Sequence, residues 1–164
     1  MDFNEIYSQV DLQEIGLIVI LFTIVGAGAA VVGVLTTGWA EAVFATGSTG
    51  DVERFGPIFV AQLYLAITAA ALIGAPILSG LIGFLFGSQL FGYPKVLITS
   101  VIGISMGSFA YIFVFTSAVV VFQGAGAEQA YGIGEIFSIA IITVFVSTGV
   151  GTLTGLWGQA INCT

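Results

Sequence analysis

The chain has 164 residues, 58% of them hydrophobic and 7% charged, with a mean hydropathy of +1.14. Soluble domains carry about a quarter charged residues, so this composition belongs to the membrane class. Two basic and nine acidic side chains leave a net charge of −7, no nucleic-acid partner is expected, and histidine is absent. That absence removes imidazole bases, His-ligated haem or zinc and His-centred triads. A single cysteine, Cys163, excludes an internal disulfide and a CxxC pair.

Crossing hydrocarbon takes about 20 apolar residues at helical rise, and four stretches qualify. An acidic head with Asp2, Glu5, Asp11 and Glu14 precedes the first, over residues 15–37. The head lacks the positive region of a signal peptide and the stretch behind it is too long for one, so the span is expected to be retained. Residues 38–56 form the longest predicted connection, with Trp39, Glu41, Asp51, Glu53 and Arg54. Its apolar middle, residues 42–45, is expected to lie along the membrane interface.

The second span, 57–87, opens at Pro57, which suits a first helical turn where no backbone donor is needed. Pro76 near its middle predicts a kink, or a split into a helix and a re-entrant segment around Gly74, Ser79 and Gly80. Gln62 is the deepest strongly polar side chain expected in a span, placed to bond a neighbouring helix. Gly92, Tyr93 and Pro94 mark a tight turn before the third span, 96–122. A Gly/Ala-rich connection holding Glu128 and Tyr131 then leads to the fourth span, 133–157. The predicted fold is all-α: a single polytopic membrane domain over 1–164, with four transmembrane helices in a small bundle.

Small residues recur four apart: Gly83 with Gly87, Gly103 with Gly107, Ser147, Gly151 and Gly155 in series, and, more weakly, Ala29 with Gly33. Such spacing opens a groove on one helix face where another backbone approaches closely, and packing of this kind holds helices together in lipid. Whether these faces meet each other or another chain is open in the sequence. Ser100, Ser105 and Ser108, with Thr143, Ser147, Thr148 and Thr152, suggest either a polar path or hydroxyls bonding their own and neighbouring helices.

No Asp, Glu, Lys, Arg or His falls at mid-span, where transporters and pumps place theirs. Glu14 and Glu135, at span entrances, are candidates for a shallow ion site, or acids favoured by the helix dipole. No catalytic, metal or cofactor-binding residue is identified. Trp39, Tyr93, Tyr131 and Trp157 fit an interfacial aromatic belt. Arg54 and Lys95 fall on opposite sides, so the basic residues give no orientation. Asn162-Cys163-Thr164 matches a glycosylation acceptor and tilts the reading toward both termini outside, while Cys163, with no further signal beside it, reads as a plain cysteine before it reads as a lipid site. Few lysines, many acids and a pI near 4.1 resemble the proteins of salt-loving archaea.

These observations predict a non-enzymatic protein with a structural or assembly role in a membrane complex, cellular or in a virion membrane. Its expected partners are lipids and other membrane subunits or copies of itself. The competing expectation is a small channel or transporter subunit with a Ser/Thr-lined path, Glu135 at its mouth and Pro76 as a hinge.

Overall fold

A computed structural model describes residues 12–45, 51–90, 92–123 and 133–162. Of these, 98% are helical, and no strand occurs among them. The helices are α1 (Leu12–Ala40), continued by a π-helical turn over Glu41–Ala45, α2 (Asp51–Gln89), α3 (Tyr93–Gln123) and α4 (Ile133–Asn162). Each contains a membrane-length apolar segment: Leu12–Phe44, Ile58–Gln89, Tyr93–Val119 and Ala140–Ile161. Helices satisfy every backbone group internally, which hydrocarbon demands. The chain is a multi-pass membrane protein.

Helix boundaries differ from the sequence expectation where backbone continues beyond the apolar stretch. Residues 41–45 extend α1 as a π turn and do not lie apart along the interface. The second helix starts at Asp51, so Pro57 is its seventh residue and not part of its first turn. The helix also runs unbroken through Pro76, which removes the re-entrant alternative. A transmembrane proline forfeits one hydrogen bond, and neighbouring helices stabilise what remains.

Between α2 and α3 the chain turns within three residues. Leu90 N–H donates to Phe86 O at 3.1 Å, and Val96 N–H donates to Gly92 O at 3.1 Å. Gly92 takes φ +99°, a left-handed conformation that disfavours any side chain. Pro94 falls in the first turn of α3, where its missing donor costs nothing.

Successive helices run antiparallel, so α1 is parallel to α3 and α2 is parallel to α4. These two parallel pairs make the most extensive seams, and α3 also packs along α4. α1 touches α2 more sparsely, and no extensive contact joins α1 to α4. The apolar segment of α3 is 50% buried, against 28% or less for the other three, which makes α3 the central helix. One apolar cluster gathers Ala30, Ala40, Val60, Tyr64, Phe115 and Val119 toward the end of α1, and a second gathers Ile18, Phe22, Ala75, Ile104 and Tyr111. The outer faces expose large apolar residues such as Ile24, Leu65, Phe113 and Phe145, a surface suited to lipid.

Candidate functional site

The α2–α4 seam is built from glycine on both sides. A Cβ on Gly83 would overlap the carbonyl of Gly151, and one on Gly87 would come within 2.6 Å of Gly155 Cα. In the reverse direction, a Cβ on Gly151 would sit 2.8 Å from Ser79 O, and one on Gly155 3.2 Å from Gly83 O. Gly158, outside the small-residue pattern read from sequence, joins the same seam against Phe84 O, at 2.5 Å. The backbones of two parallel helices therefore touch with no side chain between them, which only Gly permits at these positions.

The α1–α3 seam uses the opposite device, large side chains seated in glycine grooves. A Cβ on Gly103 would lie 2.9 Å from Ile18 Cδ1, and one on Gly107 3.0 Å from Phe22 Cγ. Ile18 and Phe22 are among the most deeply buried side chains of the molecule. Gly26 of α1 abuts the Tyr111 backbone, its Cβ position 3.0 Å from Tyr111 Cα. Gly33 faces Ile67 and Phe115 at 3.3 and 3.5 Å, and Ala29 is half-buried beside it. The small-residue faces thus meet partners within the same chain, and those of α3 and α4 turn to different neighbours: Gly103 and Gly107 to α1, Gly151 and Gly155 to the α2 backbone and to Ile104, Ser100 and Val96 of α3.

Hydroxyls gather where α2, α3 and α4 meet. Ser79 Oγ donates to Ala75 O at 2.8 Å and lies 3.4 Å from Ser108 Oγ. Ser105 Oγ and Thr148 Oγ1 share a bond at 2.9 Å across α3 and α4, and Thr148 also donates to Val144 O at 2.8 Å. Ser147 Oγ and Thr152 Oγ1 are buried on α4 with no hydrogen-bond partner. A Cβ on Gly155 would lie 2.9 Å from Ser100 Oγ, so that hydroxyl packs against glycine.

Polar groups at the ends of the bundle do other work. Tyr64, 6% exposed, donates its phenolic hydrogen to Glu41 Oε1 at 2.6 Å, tying the π turn of α1 to α2. A bond this short to a carboxylate is in the charge-assisted range. Gln159, 3% exposed near the end of α4, turns its amide toward the N–H groups of Gly92 and Tyr93; with the oxygen assigned to that side, as two donors require, it accepts from them at 2.9 and 3.1 Å. That side chain caps the start of α3, and neither its spacing nor its type announced the role. Gln62, by contrast, is exposed on the outer face of α2, so the expectation that it bonds a neighbouring helix is not met. Four residues separate it from the start of the apolar segment Ile58–Gln89.

Glu14 is half-buried at the third position of α1. Ile18 opposes Gly103, so one turn earlier the same register sets Glu14 opposite Thr99, whose side chain is fully buried. Glu135 is the third residue of α4, and its side chain lies outside the described set. Antiparallel connection puts the starts of α1 and α4 at opposite ends of the bundle, so these two acids cannot share one site. Among the described residues no group of three metal-ligating side chains occurs. Trp39, Tyr93 and Trp157 are exposed near helix ends, while Tyr131, Glu128 and Cys163, and the side chain of Asn162, lie outside the described residues.

An apolar groove of about 280 Å³ runs between α1 and α3, lined by Ala27, Ala30, Val31, Val34, Leu35, Val114 and Ala118. Compared with protein-family models, curated proteins and solved structures, the chain has no significant match.

Proposed function

We propose that this protein is a non-enzymatic membrane component with a structural or assembly role in a membrane complex. One observation carries the reading: the interior of the bundle is filled by apolar side chains, close glycine contact and neutral hydroxyls, and every charged residue of the sequence falls outside the middle of the spans. Transport of ions or protons draws on intramembrane ionisable groups, and general acid–base chemistry needs a base within reach of its substrate. Because the glycine seams are occupied within the chain, partners meet its outer apolar faces. Those partners are lipids, further copies of the chain or other membrane subunits, in a cellular or a virion membrane. Both termini lie on one side, and the Asn162-Cys163-Thr164 acceptor pattern favours the outside.

Isolation from the native membrane in mild detergent, with particle mass and identification of co-migrating proteins, tests this reading. A stable assembly with other membrane proteins, unchanged by Glu14→Gln or Glu135→Gln, is the expected result. Ion flux from the purified chain in liposomes, lowered by Glu135→Gln, would overturn it in favour of a channel subunit.

A further inference from the structure

Three serines converge at mid-depth, one from each of α2, α3 and α4. Ser79, Ser108 and Ser147 are each 0% exposed. Gly83 faces Gly151 and Gly87 faces Gly155, so one turn earlier the same register sets Ser147 opposite Ser79, and a Cβ on Gly151 would lie 2.8 Å from Ser79 O. Ser108 completes the group from α3, its Oγ 3.4 Å from Ser79 Oγ.

The hydrogen bonds among these three are long or missing. Hydroxyl pairs sit at about 2.7–2.8 Å when bonded directly, so 3.4 Å is a weak link. Ser79 spends its proton on Ala75 O at 2.8 Å, which leaves its oxygen only as an acceptor. Ser147 Oγ has no partner at all, and it does not bond the carbonyl one turn back, as Thr148 and Thr154 of the same helix do. A buried hydroxyl left unmade costs about 1–3 kcal/mol, and hydrocarbon offers no remedy from outside.

We propose that Ser79, Ser108 and Ser147 hold one internal water molecule at the junction of α2, α3 and α4. The chemistry suits water and not an ion, because the three groups are neutral and no charged residue of the sequence lies near this depth. A buried water makes about three hydrogen bonds, and this trio supplies that number. It donates one hydrogen to Ser79 Oγ, donates the other to Ser108 Oγ and accepts from Ser147 Oγ–H. Contact between α2 and α4 at this level is then mediated by water, whereas one turn further on it is dry glycine against glycine.

The test is infrared difference spectroscopy of the full chain in lipid nanodiscs, comparing ordinary water with oxygen-18 water. One narrow O–H stretching band, shifted by the heavier isotope, is expected in the wild type and in the Thr154→Val control. It should be lost in Ser147→Ala and in Ser108→Ala; should either variant fail to fold, the other, or Ser147→Cys, serves in its place. Bands that are identical in all proteins, or absent from the wild type, would overturn the proposal and leave Ser147 bonded to its own helix at Thr143 O.

Discussion

Gly87→Ala adds one methyl group at one of the closest helix contacts in the molecule. The new carbon would overlap the Gly155 carbonyl and stand 2.6 Å from Gly155 Cα, whereas carbon atoms rest at about 3.5–4.0 Å, so α2 and α4 must part by at least about 1 Å. Opening by that amount forfeits about a quarter to a half of each dispersion contact lining the seam. Overpacking of this kind costs about 1–3 kcal/mol, while the better helix propensity of alanine returns up to about 1 kcal/mol. A net loss of about 1–2 kcal/mol follows, close to a tenfold change in the unfolding equilibrium. Gly28 and Gly149 have nothing within 4 Å of a Cβ, so Gly28→Ala and Gly149→Ala carry the propensity gain alone and serve as controls. Unfolding by SDS in mixed micelles, followed through Trp39 and Trp157 fluorescence, separates the three. If Gly87→Ala unfolds at the same SDS fraction as the wild type and the two controls, backbone contact is not what closes this seam.

Three further outcomes follow from other contacts. Gln159→Leu leaves the Gly92 and Tyr93 amides without their acceptor, for a loss of about 1–3 kcal/mol and faster hydrogen exchange at the start of α3, read by mass spectrometry. Tyr64→Phe removes the 2.6 Å bond to Glu41, lowers stability by about 1.5–3 kcal/mol and speeds exchange in the π turn, with little change along α4. A double-mutant cycle of Ser105→Ala and Thr148→Val should return a coupling of about 0.6 kcal/mol, the usual worth of an interhelical hydroxyl bond in a membrane; a value near zero would mean that each hydroxyl is satisfied by its own helix.

The four spans were legible without tertiary information because transfer into hydrocarbon is close to a sum over residues, and each stretch carries its own sum. The small-residue rows were legible too, since spacing of four on a helix needs only the helical repeat. Segment ends were less so. Asp51 to Gly56 is too polar to read as membrane, yet the backbone there is helical, so Pro57 falls inside a helix that apolar content alone would begin later. Pro76 reads as a kink or a split, and the helix is continuous through it.

What only the tertiary structure decided is pairing. Gly103 and Gly151 belong to the same kind of row, and nothing local assigns the first to Ile18 of α1 and the second to Ile104 of α3 and the Ser79 carbonyl of α2. That choice depends on which faces of four helices fit together at once, a property of register and crossing that no single segment contains. The same reason hides Gln159, whose partners lie some 70 residues earlier in the chain, and the meeting of Ser79, Ser108 and Ser147 from three helices. Sequence determined that this chain enters a membrane four times, because solvation acts on each segment separately; structure decided how the segments close on one another, because packing acts on all of them together.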